Sequence, residues 1–166
     1  LEELGDYDKD RVKFLICQEA GDEFSEGREL LKQCAEYASQ FKREPIPVSE
    51  LVIGMKCGGS DGLSGITANP AVGRFSDMMA ARGGSTVLTE VPEMFGAEGF
   101  LMNRCVNEAV FEKAVDMING FKNYFISHNE VVYDNPSPGN RQGGITTLED
   151  KSCGCVQKGG TAPIMD

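Results

Sequence analysis

A glycine-rich segment between an apolar run and a helix start places the strongest constraint on the fold of this chain. Residues 51–55 are apolar, and residues 56–66 hold four glycines with a thiol, two hydroxyls and a carboxylate. Asn69-Pro70 then favours a helix, since asparagine caps a first turn and proline fits its first position. Glycine lets a loop backbone approach a ligand closely. The segment therefore predicts a strand, a binding loop and a helix in succession.

Apolar periodicity predicts alternating strands and helices along the chain. We expect strands at 12–17, 51–55 and 85–90, and helices at 25–43, 69–82, 97–103, 107–127 and 146–158. Ser25 is the expected cap of the first helix, and Thr146-x-x-Glu149 is typical of a capping box. This alternation predicts an α/β fold with a mainly parallel sheet and helices on both faces. Ligands of such sheets bind beyond the carboxyl ends of strands, here the glycine loop and residues 90–98.

Charge and hydropathy exclude several classes of protein. The 166 residues include 26 acidic and 16 basic side chains, for a net charge of −10, whereas a nucleic-acid partner needs a basic face. No 18-residue apolar run and no basic-then-apolar leader occurs in the sequence. We therefore expect no membrane partner and a cytoplasmic location.

The six cysteines are expected to be free thiols, because that compartment is reducing. Cys17, Cys34 and Cys105 suit a core. Cys57 differs, since it follows a strand and faces the glycine loop. For Cys153-Gly-Cys155, the one close pair, a redox or metal role and a structural role both stay open. His128, the single histidine, has no motif around it, so we expect a helix-end or surface position and no Ser-His-Asp mechanism.

Four motifs in order resemble the altronate/galactarate dehydratase family of bacterial sugar-acid dehydratases. They are CGGSDGLSGITANP at 57–70, TEVPEMFGAE at 89–98, NPSPGN at 135–140 and GGITTLEDKS at 143–152, closed by KGG at 158–160. The resemblance covers residues 12–166, and family members are much longer. It implies that the chain is a single α/β domain from roughly the middle third of a longer polypeptide. Residues 1–48 would be the tail of a preceding region, and residues 49–166 the motif-bearing catalytic region.

The resemblance implies elimination of water from a hexonate or hexarate to give a 2-keto-3-deoxy acid. The reaction removes the proton beside a carboxylate and expels the β-hydroxyl. It therefore needs a base, an acid and a cation that stabilises the dianionic enolate. The family is associated with Fe²⁺, with another divalent metal left open, and a thiolate suits iron, so Cys57 is the expected metal contact. The isolated piece is expected to be inactive, because a shared site would be cut open.

Candidate site residues come from all four motifs. Lys151, Glu90 and Asp61 are the catalytic candidates, and Lys151 and Lys158 suit either a carboxylate clamp or a base with a lowered pKa. The expected substrate-binding residues are Ser60, Ser64, Asn69, Glu93, Asn135, Ser137, Asn140, Arg141 and Lys158. Purely structural roles stay open for many of these residues. Asp61 would then only stabilise a turn, Asn69 would only cap a helix, and the two lysines would lie on solvated helix faces.

Two other functions stay open. A related lyase, resembling the large subunit of a sulfolactate sulfo-lyase, would eliminate sulfite in place of water. Alternatively, residues 58–62 would form a non-catalytic loop that binds an anion or a nucleotide at the following helix. Against this, neither G-x-x-x-x-G-K-[ST] nor G-x-G-x-x-G is present. The expected partners are a small sugar acid and the rest of the same polypeptide, with a homo-oligomer left open.

Overall fold

In the computed structural model, which describes residues 5–166, the chain divides into two units, residues up to 45 and residues 46–166. The first unit is built on helix α1 (Glu23–Ala38). Asp22 caps α1 by accepting a hydrogen bond from the backbone N–H of Phe24, so the helix begins before the expected Ser25 cap. It also ends before the expected residue 43. None of the described helices is long and apolar enough to cross a membrane.

The prediction of a strand at residues 12–17 is wrong. No residue of this run pairs with a strand in the part of the chain that the structure describes. Phe14 and Ile16 are exposed, the latter to 54%. Cys17 is exposed as well, and Cys34 and Cys105 are only half-buried, so none of the three lies deep in a core. An apolar run becomes a strand only where a neighbour satisfies its backbone hydrogen bonds.

The second unit contains a two-stranded parallel sheet, β1 (Val52–Met55) and β2 (Ser85–Leu88). Its register pairs Val52 with Ser85 and Met55 with Leu88. Helix α2 (Ala68–Ala80) connects the strands, as a parallel pair requires. The succession of strand, glycine loop and helix is thus confirmed. The expected mainly parallel sheet with helices on both faces is not, since only these two strands pair within residues 5–166.

Four more helices follow β2. They are α3 (Glu98–Met102), α4 (Glu108–Ser127), α5 (Pro138–Gln142) and α6 (Leu148–Val156). Short 3-10 turns lie at Val48–Glu50, Val91–Met94 and Gln157–Gly159. Thr147, one residue after the expected Thr146, caps α6. His128 ends α4 at an exposed position, which confirms its predicted helix-end placement.

The core of the second unit holds the segment around Glu93 and helix α6 in place. Its buried cluster comprises Met94, Phe95, Ala97, Leu101, Ile118 and Val156. Phe95 and Ile118 are the largest of these to be almost fully buried, with 2% and 1% of their surface exposed. Because Met94 and Val156 are both anchored in this cluster, the neighbouring polar residues on their two segments have fixed positions.

Glycine lets α2 pack directly on the 3-10 turn Gln157–Gly159. A Cβ atom on Gly73 would lie 2.1 Å from the carbonyl oxygen of Gln157. The Asp77 carboxylate of α2 accepts hydrogen bonds from the backbone N–H groups of Thr161, at 2.6 Å, and Ala162, at 3.2 Å. These contacts fix the turn that carries Lys158.

Candidate active site

Three polar side chains of the C-terminal segment lie on one face and point towards the glycine loop. Lys151, Cys155 and Lys158 are spaced four and three residues apart, the spacing of neighbours on a helix surface. Only 3% of Lys151 and 4% of Lys158 is exposed. Gly154 permits this approach, since a Cβ there would lie 3.3 Å from the Cα of Gly65. Both lysines are therefore buried cations and not members of a solvated helix face.

Glu93 is shared by the two buried lysines. Its Oε1 lies 3.0 Å from Lys151 Nζ and its Oε2 lies 3.7 Å from Lys158 Nζ. Buried charges persist where they are paired in this way. Burial lowers the pKa of Lys151, but the hydrogen bond with Glu93 and the nearby anionic groups outweigh it, so the pKa is raised overall. A raised pKa favours a carboxylate clamp over a base at this position.

Cys57 is held in the anionic form by its neighbours. Its Sγ lies 3.1 Å from Cys155 Sγ and accepts a hydrogen bond from Lys158 Nζ at 2.5 Å. The hydrogen bond with Cys155 and that with Lys158 lower the pKa of Cys57 despite the opposing effect of burial. The same hydrogen bond, together with burial, raises the pKa of Cys155. At neutral pH Cys57 is therefore a thiolate and Cys155 a thiol.

Glu90 positions Cys57 at the end of β1. Its Oε2 accepts a hydrogen bond from the backbone N–H of Cys57 at 2.5 Å, and its Oε1 lies 3.5 Å from Lys56 Nζ. Lys56 Nζ also donates to the carbonyl oxygen of Cys57 at 3.2 Å. A carboxylate and an ammonium group thus hold the backbone around the thiolate from both sides.

Most backbone N–H groups of the glycine loop are already occupied. Asp61 Oδ1 accepts hydrogen bonds from the N–H groups of Leu63, at 2.9 Å, and Ser64, at 3.0 Å. The Gly62 N–H donates to the carbonyl oxygen of Gly143 at 2.8 Å. The bond from Leu63 and that of the Ser64 hydroxyl lower the pKa of Asp61. Because the N–H groups of Ser60, Asp61 and Gly62 all have acceptors, only those of Gly58 and Gly59 remain within residues 58–62 to bind an anion.

Asn140 and Lys151 hold Ser60 between two distant segments. Asn140 Nδ2 donates to the Ser60 carbonyl oxygen at 2.9 Å, and Lys151 Nζ donates to Ser60 Oγ at 3.2 Å. The loop after β1 is therefore tied to α5 and α6 by side chains that the sequence motifs predicted as site residues.

Two clefts flank Cys155 and collect most of the predicted site residues. One is predominantly polar, and the other lies beside the sheet and has an apolar floor that includes Met55 and Met94. The polar cleft is lined by Ser60, Asp61, Ser64, Asn69 and Lys151. The second cleft is lined by Glu90, Glu93 and Lys158. Thr67, not Asn69, is the N-cap residue of α2, so the cap expected at Asn69 is wrong.

Four predicted binding residues line neither cleft: Asn135, Ser137, Asn140 and Arg141. Ser137 caps α5 by accepting a hydrogen bond from the Asn140 N–H. Exposed Arg141 lies 3.4 Å from Asp134 Oδ1. Asn135 precedes a cis peptide bond to buried Pro136. The proline-rich segment thus contributes Asn140 to the site and otherwise shapes the surrounding backbone.

Sequence reasoning missed the pairing of Cys57 with Cys155 and the contact of Lys56 with Glu90. The only local signal for Cys155 was its spacing from Lys151 and Lys158, which puts the three side chains on one helix face. Cys153, the other member of the close pair, instead packs against the buried core. Of this close pair, therefore, only Cys155 lies beside Cys57.

Three groups of this cluster are arranged as potential metal ligands. The sulfur atoms of Cys57 and Cys155 and a carboxylate oxygen of Glu93 all lie within 4.8 Å of one another. Thiolates suit iron and zinc, and a carboxylate oxygen complements them. This donor set therefore fits a divalent transition metal, in competition with the ammonium groups that now contact the same atoms.

Comparisons with known proteins place this arrangement in a family. Residues 48–166, which nearly coincide with the second unit, match the family model described as D-galactarate/Altronate dehydratase, C-terminal. Over 165 residues the chain is 64% identical to the altronate dehydratase of Bacillus subtilis (strain 168) and 61% identical to that of Escherichia coli (strain K12). Both alignments cover 99% of this chain and 33% of the relative.

A third relative is more distant. Galactarate dehydratase (L-threo-forming) of Escherichia coli (strain K12) is 41% identical over 128 residues, which cover 77% of this chain and 24% of the relative. The chain spans about a third of the length of the altronate dehydratases it matches. With the family model matched over most of its length, the chain belongs to the D-galactarate/altronate dehydratase family.

Proposed function

We propose that the chain supplies part of the active site of a metal-dependent sugar-acid dehydratase. The enzyme would eliminate water from altronate, galactarate or a similar acid to give a 2-keto-3-deoxy acid. The observation that supports this most is the pair of buried ammonium groups, Lys151 and Lys158, beside clefts lined with hydroxyl, amide and carboxylate groups. The dehydratase names of the similar proteins support the same reaction class.

Lys151 and Lys158 would bind the substrate carboxylate. As the proton beside that carboxylate leaves, a second negative charge develops on its oxygens. Fixed ammonium groups in a site of low dielectric stabilise such a charge far better than water does. Glu93, which contacts both lysines, would keep their side chains oriented before the substrate arrives.

The polar cleft would bind the hydroxyl groups of the sugar acid through hydrogen bonds. Ser60 and Asn69 offer a hydroxyl and an amide at its wall, and Asp61 offers a carboxylate. Asp61 and Glu90 lie at different clefts. Both remain our candidates for the two proton transfers, one to the departing hydroxyl group and one from the α-carbon.

Cys57, Cys155 and Glu93 would hold Fe²⁺ or another divalent metal. A bound divalent ion supplies positive charge that polarises a substrate oxygen. Lys158 contacts both Cys57 and Glu93. When the metal binds, the ammonium group of Lys158 would move away from these two ligands and would then contact the substrate.

Activity of the full-length protein that carries this chain tests the proposal. The assay measures 2-keto acid formation from altronate and galactarate, and sulfite release from sulfolactate. Lys151→Met should lower kcat by about 10²–10³-fold, the usual loss for one anion-stabilising donor. Lys113→Met is the matched control, since Lys113 is exposed and pairs only with Asp166 in the described residues.

Full activity in a folded Lys151→Met protein would overturn the clamp. Sulfite release without dehydration would instead establish the sulfo-lyase alternative. For the metal, Cys57→Ser should lower the iron bound per chain while leaving the circular dichroism spectrum unchanged. Unchanged iron content in this variant would place the metal outside the described residues.

A further inference from the structure

The two sulfur atoms at the centre of the site lie close enough to react with each other. Cys57 Sγ and Cys155 Sγ are 3.1 Å apart, and both residues are buried, with 8% and 4% exposed. A disulfide bond is about 2.05 Å long, so the sulfur atoms would need to approach by roughly 1 Å. We propose that Cys57 and Cys155 form a reversible disulfide when a hydroperoxide enters the site. This oxidation is independent of the proposed dehydration.

The backbone on one side of the pair has room for this approach. Cys57 is followed by Gly58 and Gly59, and a Cβ atom on either glycine would meet no atom within 4 Å. Cys155, in contrast, lies on α6 next to Val156, which belongs to the buried core. Closure would therefore move Cys57 towards a fixed Cys155.

Cys57 is the residue placed to react first with the oxidant. Lys158 Nζ donates a hydrogen bond to Cys57 Sγ, and an ammonium group beside a sulfur favours its nucleophilic form. Lys158 and Cys155 also line the same cleft, so a small hydroperoxide bound there would lie next to the Cys155 sulfur atom and to the ammonium group that contacts Cys57.

The reaction balances with one hydroperoxide per pair. Cys57 Sγ attacks the terminal oxygen, an S–O bond forms and the O–O bond breaks, and the departing oxygen takes a proton from solvent and leaves as an alcohol or water. Cys57 is thereby oxidised to a sulfenic acid. Cys155 Sγ then displaces the hydroxyl group, so the S–S bond forms and water leaves with the thiol proton. Two thiols are oxidised by two electrons, and the hydroperoxide is reduced. A thiol reductant reverses the change by exchange.

The disulfide would take both sulfur donors away from a metal ion. It would also remove the acceptor of the hydrogen bond that Lys158 makes with Cys57. Oxidation would thus remove the negative charge at Cys57 and its hydrogen bond with Lys158.

Peptide mapping of the full-length protein tests this inference. Metal-free protein is treated with hydrogen peroxide, alkylated and digested with trypsin, which releases Cys57 in peptide 57–74 and Cys155 in peptide 152–158. We expect these two peptides to be linked after oxidation and separate after dithiothreitol. Because peptide 152–158 also contains Cys153, the variant Cys153→Ser should keep the link, whereas Cys155→Ser should abolish it.

In Cys155→Ser, Cys57 should remain as a sulfenic acid that dimedone labels. Cys155→Ala serves as a second variant if the serine disturbs folding, which the spectrum of the reduced protein reports. A linked peptide that persists in Cys155→Ser, or wild-type protein that yields no linked pair, would overturn the inference. Since the readout is a covalent mass, it is unaffected by the outcome of the dehydration assay.

Discussion

Replacing Gly73 with alanine should destabilise the second unit although it improves the helix. Alanine in a helix interior is favoured over glycine by about 1 kcal/mol. At Gly73, however, the new Cβ would lie 2.1 Å from the Gln157 carbonyl oxygen and 3.4 Å from the Cα of Gly160. Both neighbours are backbone atoms, so no rotamer change relieves the contact.

The size of the effect follows from the displacement required. Contacts between heavy atoms are comfortable at about 3.5–4.0 Å, so α2 and the turn Gln157–Gly159 must separate by more than 1 Å. Overpacking of this kind costs typically 1–3 kcal/mol and sometimes more. After the gain in helix preference is subtracted, we expect Gly73→Ala to lower the free energy of unfolding by up to about 2 kcal/mol. The turn carries Lys158, and a 1 Å misplacement of a catalytic group costs about 10²-fold in rate.

Gly120→Ala is the matched control. Gly120 lies inside α4, and a Cβ there would meet nothing within 4 Å, so this variant should gain the full helix preference of about 1 kcal/mol. Urea denaturation of the two variants, followed by circular dichroism, measures the difference. Equal midpoints for Gly73→Ala and Gly120→Ala would refute the close packing of α2 on the turn.

Two further predictions concern titration. The folded-state pKa of Asp77 lies below its ordinary value of 3.8, because the Thr161 N–H donates to its carboxylate, although burial opposes the shift. The stability that the ionised Asp77 carboxylate adds to the fold is therefore fully present above pH 3.8. It is lost as the pH falls through the lower pKa that Asp77 has in the folded state. At pH 7 the variant Asp77→Asn should be less stable than the wild type by about 1 kcal/mol, the value of a solvent-screened hydrogen bond. In strong acid the two proteins should be equally stable, and urea denaturation midpoints measure both differences. In metal-free protein, Cys155→Ala should raise the pKa of Cys57 towards its ordinary 9.0, since Cys155 is the largest cause of the depression. Ultraviolet thiolate absorbance against a Cys57→Ser reference measures this, and an unchanged titration would contradict the assigned hydrogen bond.

Local sequence patterns predicted the elements that carry the site. The strand before the glycine loop, α2 and α4 were each expected within a few residues, because capping residues and apolar spacing act locally. The strand expected at residues 12–17 failed for the opposite reason. An apolar run does not reveal whether another strand lies beside it, and residues 5–166 provide none there.

The sequence motifs named residues that the structure brings together, but they did not predict the contacts between them. Lys151, Lys158 and Glu93 were candidates because each belongs to a motif, but nothing in the sequence paired Glu93 with both lysines. Cys57 and Cys155 are 98 residues apart, and a contact over that separation depends on how α6 packs against the loop after β1. Such packing depends on the buried core and on Gly154, which lets α6 lie close to Gly65. The sequence does not reveal this role of Gly154, because it depends on which segment packs against α6.

The charges of the cluster connect its chemistry to its proposed metal. The ammonium groups of Lys151 and Lys158 are balanced by the Glu93 carboxylate and the Cys57 thiolate, so the buried cluster is neutral as it stands. A sugar-acid carboxylate brought into a neutral buried site would be an unpaired charge, which is costly. A divalent cation held by these residues would add two positive charges and would leave Cys155 as a thiolate, because a coordinating thiol loses its proton. The cluster then carries one net positive charge, which matches one substrate carboxylate. Metal loading and anion binding would therefore be coupled, and a disulfide at Cys57 and Cys155 would remove two of the three metal donors.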